Sequence, residues 1–218
     1  MNVAKNFIRY ALSIGAIELV PEGRRLKSGR ISPYFFNSGL FNTGDSIGQL
    51  ANAYVSVLNS LKVDVVFGPA YKGIPLVTAV SMSMWQKYGV NVGYAFNRKE
   101  VKDHGDGGII VGSPLANKRV LIVDDVMTTG TSSSEAVDII RTNGGSPIGC
   151  VIAFDRQERG KDEMFSAVQE FENNYDISVY PAAALTDLIA VLKDDEGLIP
   201  KGEEVLVKIL EYREQYGV

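Results

Sequence analysis

A single cysteine, Cys150, rules out any disulfide within the chain, and it stands in the apolar stretch 148–154, where it reads as a small buried hydrophobe rather than a nucleophile or metal ligand. The only histidine, His104, lies in a polar loop, the setting in which a lone imidazole is ordinarily solvated. No apolar run is long enough to cross a bilayer. The first residues carry Lys5 and Arg9 among their apolar positions and lack a continuous hydrophobic core and a small-residue cleavage site, so no signal peptide is read and a cytoplasmic protein without a membrane partner is expected. A basic excess is missing too. The formal charge of -4 argues against a nucleic-acid partner held by a basic surface, but leaves room for a polyanionic small ligand, which needs only a local cluster of donors. Internal repeats, low-complexity tracts and interdomain linkers are absent. The 218 residues suit one α/β domain with a small appendage and are too few for two domains of typical size.

What is present is an alternation of helical and strand-like stretches. Phe7, Tyr10, Ala11 and Ile14 follow the helical i, i+3, i+4, i+7 rule, with Gly15 as the stop. Residues 18–41 are rich in turns and aromatics, with strand-like pieces at 17–20 and 34–37, and read as a small hood over residues 1–42 together with the first helix. A core at 43–180 follows, with helices expected near 45–61, 74–88, 132–142 and 162–173. Strands are expected near 63–67, 91–97, 119–123 and 148–154, the pattern of βαβ units and a mainly parallel sheet flanked by helices. The polar, glycine-containing stretch 98–108 interrupts it, and 109–111 is a candidate hairpin arm. Residues 181–218 read as helical, with Leu185, Leu188, Ile189 and Leu192 on one face and Leu206, Ile209 and Leu210 on another.

The most informative string runs from Val120 through Leu121, Ile122, Val123, Asp124, Asp125, Val126, Met127, Thr128, Thr129, Gly130 and Thr131 to Ser132. Four apolar residues make a buried strand, and two carboxylates emerge at its carboxyl end, where open α/β sheets place their ligands. A Thr/Gly turn then opens a helix, whose free N–H groups and neighbouring hydroxyls suit a phosphate monoester. The adjacent acids suit vicinal sugar hydroxyls. The plainer reading is a turn started by the acids and a helix capped by Thr131 or Ser132. A P-loop is excluded because no G-x-x-x-x-G-K-[ST] occurs.

This string resembles the phosphoribosyl pyrophosphate (PRPP) signature of the type I phosphoribosyltransferases, and three further segments resemble their orotate branch. The resemblance spans roughly residues 7–159 and implies the type I fold, with an N-terminal hood and a flexible flap at 98–108. It places Asp124 and Asp125 on the ribose hydroxyls and the 5-phosphate in the loop 128–132. Thr129 stands where the family often has alanine, a change that removes no donor.

The segment 26–37 resembles the family's hood, in which the lysine, here Lys27, approaches the ligand and the aromatics Phe35 and Phe36 cover the pyrimidine. Adjacent aromatics also commonly pack in a core. The segment 67–75 resembles the pyrophosphate loop, which often holds a cis non-proline peptide and whose engaging side chains would be Tyr71 and Lys72. It reads equally as an ordinary strand-to-helix turn. The segment 98–108, with Arg98, Lys99, Lys102 and His104, resembles the catalytic flap, with Lys102 as principal catalytic side chain and His104 on pyrophosphate. Its near-balanced charges also fit a solvated loop. Arg156 would pair with the orotate carboxylate, a match for a planar guanidinium fork, or else make a surface salt bridge.

The resemblance implies a homodimer whose flap completes the neighbouring site, orotate and PRPP as substrates, and Mg²⁺ brought largely by PRPP, with no direct protein ligands for the metal. The reaction implied is substitution at the anomeric carbon through an oxocarbenium-like transition state. Two rivals stay open: a phosphoribosyltransferase for another base, and a PRPP-sensing regulator that binds without turnover.

Overall fold

A computed structural model describes residues 2–26, 28–58, 61–102, 108–128, 130–160, 164–194, 197 and 199–218, with the backbone alone at 101 and 102. Helix α1 (Val3–Ser13) starts at Asn2, whose side chain accepts the Lys5 N–H, and leaves through Gly15 in the left-handed region. Strands β1 (Ile17–Arg25) and β2 (Ile31–Phe36) then pair antiparallel as a separate two-stranded sheet. This hairpin is the expected hood, with strands longer than the sequence suggested. A 3-10 turn, Ser38–Leu40, leads to α2 (Gly44–Ser56), which starts in a reciprocal capping box between Thr43 and Ser46.

The main sheet follows as β3 (Val65–Gly68), α3 (Gly73–Tyr88), β4 (Gly93–Lys102), β5 (Gly108–Gly112), β6 (Arg119–Val126), α4 (Thr131–Thr142), β7 (Ser146–Asp155), α5 (Ala167–Tyr175) and β8 (Val179–Ala184). Helices α6 (Leu185–Lys193) and α7 (Gly202–Tyr216) end the chain. The strands lie in the order β5-β4-β3-β6-β7-β8, all parallel except the β4–β5 hairpin. The hydrophobic runs of β3, β6 and β7 are buried on both faces, as strands covered on both sides by helices must be. Leu121 and Val123 pack with residues of α1, α2, α3 and α6, whereas Val120 and Ile122 pack with Ala136, Val137 and Ile140 of α4. Cys150 is fully buried in that second cluster, as its apolar neighbours suggested.

Three expectations need correction. Residues 181–184, read as the start of a helical tail, belong to β8 (Val179–Ala184) beside β7. Three alanines and Pro181 hid it, and proline is tolerated there because β8 is an edge strand. The inner face of α7 is Val205, Ile209 and Tyr212, while Leu210 points outward. The polar stretch after Asn97 is not loop from its start: β4 runs on to Lys102, and the hairpin pairs Asn97 with Ile110 and Lys102 with Gly108.

Candidate active site

The order of the sheet selects the site. From β3 the chain moves outward to β4, and from β6 it moves the opposite way to β7, so the turns after β3 and β6 diverge and leave a crevice at the strands' carboxyl ends. Parallel β4 ends at that same side, so the β4–β5 hairpin rises beside the crevice.

Strand β6 continues through both acids, and alternation sends their side chains to opposite faces of the sheet. Asp124 faces α4, where Oδ2 accepts the Ser133 hydroxyl at 3.2 Å. Asp125 faces the other way, and its Oδ2 accepts both Ser38 Oγ at 2.5 Å and Lys72 Nζ at 2.6 Å. The hydroxyl of Tyr54, on α2, donates to the Asp124 carbonyl at 2.9 Å and fixes the main chain between the two.

These surroundings split the pair. Burial and the neighbouring Asp125 charge push the Asp124 carboxyl up to about 6, against the pull of the Asp125 N–H and Ser133 bonds. Burial acts on Asp125 in the same direction, but the bonds from Lys72 and Ser38 outweigh it and hold that carboxyl below its ordinary value. One acid is thus firmly ionised at neutral pH and the other titrates close beneath it.

After β6, Met127 is buried while Thr128, Thr131 and Ser132 are exposed. Gly130 takes φ +68 and starts α4 without a side-chain cap. A glycine at the cap brings no side chain of its own to the first N–H groups of α4, a helix start of the kind that favours an anion. Thr129 lies outside the described residues.

The turn after β3 is built by backbone crowding. Gly68 and Gly73 approach so closely that a Cβ on either would lie within 2.4 Å of the other's backbone. Between them the Ala70–Tyr71 peptide is cis, the feature the resemblance implies, and Asn97 Oδ1 accepts the Ala70 N–H at 2.9 Å. Tyr71 is 72 % exposed, and Lys72, also exposed, spans to Asp125. Arg98 donates to the Gly108 carbonyl across the hairpin base, and Lys99 is exposed. His104 and the Lys102 side chain lie outside the described residues, as does Lys27.

Arg156 is buried where β7 meets the hood. Its guanidinium bonds Glu158 at 2.6 Å and Ser32 Oγ at 3.0 Å and lies over the Tyr34 ring. This is a buried ion pair rather than a surface one, with the Tyr212 hydroxyl close by. The two hood aromatics differ in their surroundings. Phe36 is buried with its ring stacked on Phe154 at 5.6 Å, and Arg24 covers the Phe35 ring at 3.9 Å. Phe35 itself is half-buried.

Sequence reasoning missed Ser38, Tyr54, Asn97 and Ser133. Only Asn97 carried a local signal, a polar residue closing an apolar strand. Among the described residues no group of three His, Cys, Asp or Glu side chains could hold a metal ion.

Comparison with known proteins agrees with this geometry. The family model of the phosphoribosyl transferase domain matches residues 43–184, from the cap of α2 to the end of β8. The orotate phosphoribosyltransferase of Nitrosococcus oceani is 52 % identical over 195 residues, covering 88 % of this chain and 86 % of that protein. That of Bordetella avium is 48 % identical over 225 residues, covering 100 % and 99 %. The crystal structure of the Francisella tularensis orotate phosphoribosyltransferase matches with a TM-score of 0.84 at 38 % identity, covering 98 % of this chain and 100 % of that one. A site of paired acids and an uncapped helix start, on a fold and sequence shared this widely, makes the chain a member of the orotate phosphoribosyltransferase family.

Proposed function

We propose that the chain transfers the 5-phosphoribosyl group of PRPP to orotate, yielding orotidine 5-phosphate and pyrophosphate on the route to UMP. The observation that carries this reading is the acid pair at the end of β6 followed directly by the uncapped start of α4. The 5-phosphate is held by main chain and hydroxyls from Val126, Met127, Thr128, Thr129, Gly130, Thr131 and Ser132, while Asp124 and Asp125 accept from the ribose hydroxyls. As the sugar takes Asp125, Lys72 exchanges its 2.6 Å ion pair for the pyrophosphate, which Tyr71, Arg98, Lys99 and His104 also meet. Lys102, at the end of β4, acts on the leaving group from the hairpin tip. Orotate is gripped by Arg156, by Phe35 and Phe36 of the hood, and by Lys27 and Thr128.

With no group of acids able to hold a metal by itself among the described residues, Mg²⁺ would arrive with PRPP beside Asp124 and Asp125 and would supply Lewis-acid stabilisation of the departing charge. The working form is a cytoplasmic homodimer in which the flap serves the neighbouring site.

Mixing protein, orotate, PRPP and Mg²⁺ is expected to give a loss of orotate absorbance and one pyrophosphate per turnover. Adenine, hypoxanthine, guanine and uracil should give none. Turnover of a purine in place of orotate, or PRPP binding without pyrophosphate release, contradicts the proposal.

The acid pair also sets a pH dependence. Asp124 must be ionised to accept a ribose hydroxyl and is pushed up to about 6, so kcat/KM for PRPP should fall as pH drops through about 6, with a slope approaching one. Asp125, held low, stays ionised across that window. A profile flat down to pH 4.5 would contradict this assignment.

A further inference from the structure

Four consecutive hydroxyl residues, Thr131 to Ser134, open α4, and only Ser133 is buried. It shares the inward stripe of the helix with Ala136, Val137 and Ile140, at the i, i+3, i+4, i+7 spacing that otherwise carries apolar residues. A hydroxyl in such a stripe is costly unless bonded, and its partner is Asp124 Oδ2 at 3.2 Å. The Cys150 thiol, on β7, lies 3.9 Å from Ser133 Oγ as a donor, which leaves the serine proton to point at the carboxylate. The other Asp124 oxygen is held by the Asp125 N–H at 2.9 Å. Both carboxylate oxygens are therefore fixed, one from the strand and one from the helix, and the Ser133 bond ties together the two ends of the turn 125–132.

We infer that Ser133 is a positioning residue for PRPP: it sets the rotamer of Asp124 and clamps the end of β6 to the start of α4, so that the sugar-binding acid and the phosphate-binding turn are held in one fixed relation. The inference rests on the ribose-binding role proposed for Asp124. Ser133 touches no substrate itself. Its effect passes through Asp124, which is also faced by Asp125 on its own strand, Lys72 ahead of α3, Tyr54 of α2 and Cys150 of β7.

The test compares the wild type with Ser133→Ala, Ser133→Thr and Asp124→Asn, measuring KM for PRPP, KM for orotate, kcat and the acid limb of kcat/KM. Loss of one hydrogen bond to a charged group should raise KM for PRPP about tenfold in Ser133→Ala. It should leave KM for orotate within about twofold and move the acid limb to higher pH, because the removed bond favoured the ionised carboxyl. Ser133→Thr, which keeps the hydroxyl, should restore both. If the alanine variant does not fold, Ser133→Cys, near-isosteric and a far weaker donor, should show the same shifts. A Ser133→Ala enzyme with the wild-type acid limb and KM, beside an Asp124→Asn enzyme impaired toward PRPP, would overturn the inference and leave the role of Asp124 standing. An Asp124→Asn enzyme unimpaired toward PRPP would overturn both.

Discussion

Gly68→Ala is expected to cost the protein at least about 3 kcal/mol, the upper end of overpacking penalties, and to abolish most of its activity. A Cβ at this position would sit 2.3 Å from the carbonyl oxygen of Gly73, 2.6 Å from its carbonyl carbon and 2.8 Å from its Cα. All three are backbone atoms, so no side chain can swing aside. Relief requires β3 and the start of α3 to separate. The turn 69–72 between them would then lose its closure, and Lys72 its reach to Asp125. Chemical denaturation and initial-rate kinetics on the same preparation check both consequences. Gly48→Ala is the control of opposite sign, since Gly48 lies within α2 with nothing within 4 Å of an added Cβ. Replacing a helix-interior glycine in open space should stabilise by about 0.5–1 kcal/mol without touching kinetics. A Gly68→Ala protein with wild-type stability and PRPP kinetics would contradict the close crossing.

The second large effect is expected at Lys102. The hairpin that carries it leaves the sheet at the carboxyl end of β4, beside the crevice, and its backbone pairs with Gly108 at the base of the tip. A cation delivered from there meets charge that builds on pyrophosphate only as the glycosidic bond breaks, so it stabilises the transition state more than the bound substrate. Lys102→Ala should lower kcat on the order of 10²- to 10³-fold, the usual effect of removing one such donor, with a much smaller change in KM for PRPP. An unchanged turnover number would remove Lys102 from the mechanism. Mixing Lys102→Ala with Asp125→Asn protein tests the shared flap: hybrid dimers should regain activity that neither variant has alone, and no regain would place the flap on its own subunit's site.

The sequence carried what is contiguous and left out what is assembled. The strand, acid pair, turn and helix start around β6 occupy one stretch of chain, although the strand runs on through both acids to Val126 instead of ending near 123, and it is this extension that sends the acids to opposite faces. The glycines of the β3–α3 turn and the sheet class were legible for the same reason, since each is a local pattern of period and backbone freedom. Ser38, Tyr54, Asn97 and Ser133 act on partners 87, 70, 27 and 9 residues away, and spacing alone does not register a hydroxyl that finds its acceptor across the fold. The packing of the hood rings was illegible on the same ground. Only the fold reveals that Phe36 meets Phe154 and that Arg24 lies over Phe35. Strand β8 was missed because its alanines and proline carry weak strand preference, while its place at the sheet edge beside β7 supplies the pairing that propensity does not.

Crystals grown with PRPP and Mg²⁺ offer the most direct examination of the ligand geometry. Density for the 5-phosphate against the N–H groups at the start of α4, with the ribose hydroxyls on Asp124 and Asp125 and Lys72 turned toward pyrophosphate, is the expected result. PRPP bound elsewhere, with the Lys72–Asp125 pair intact and the β6–α4 turn closed against protein, would contradict it.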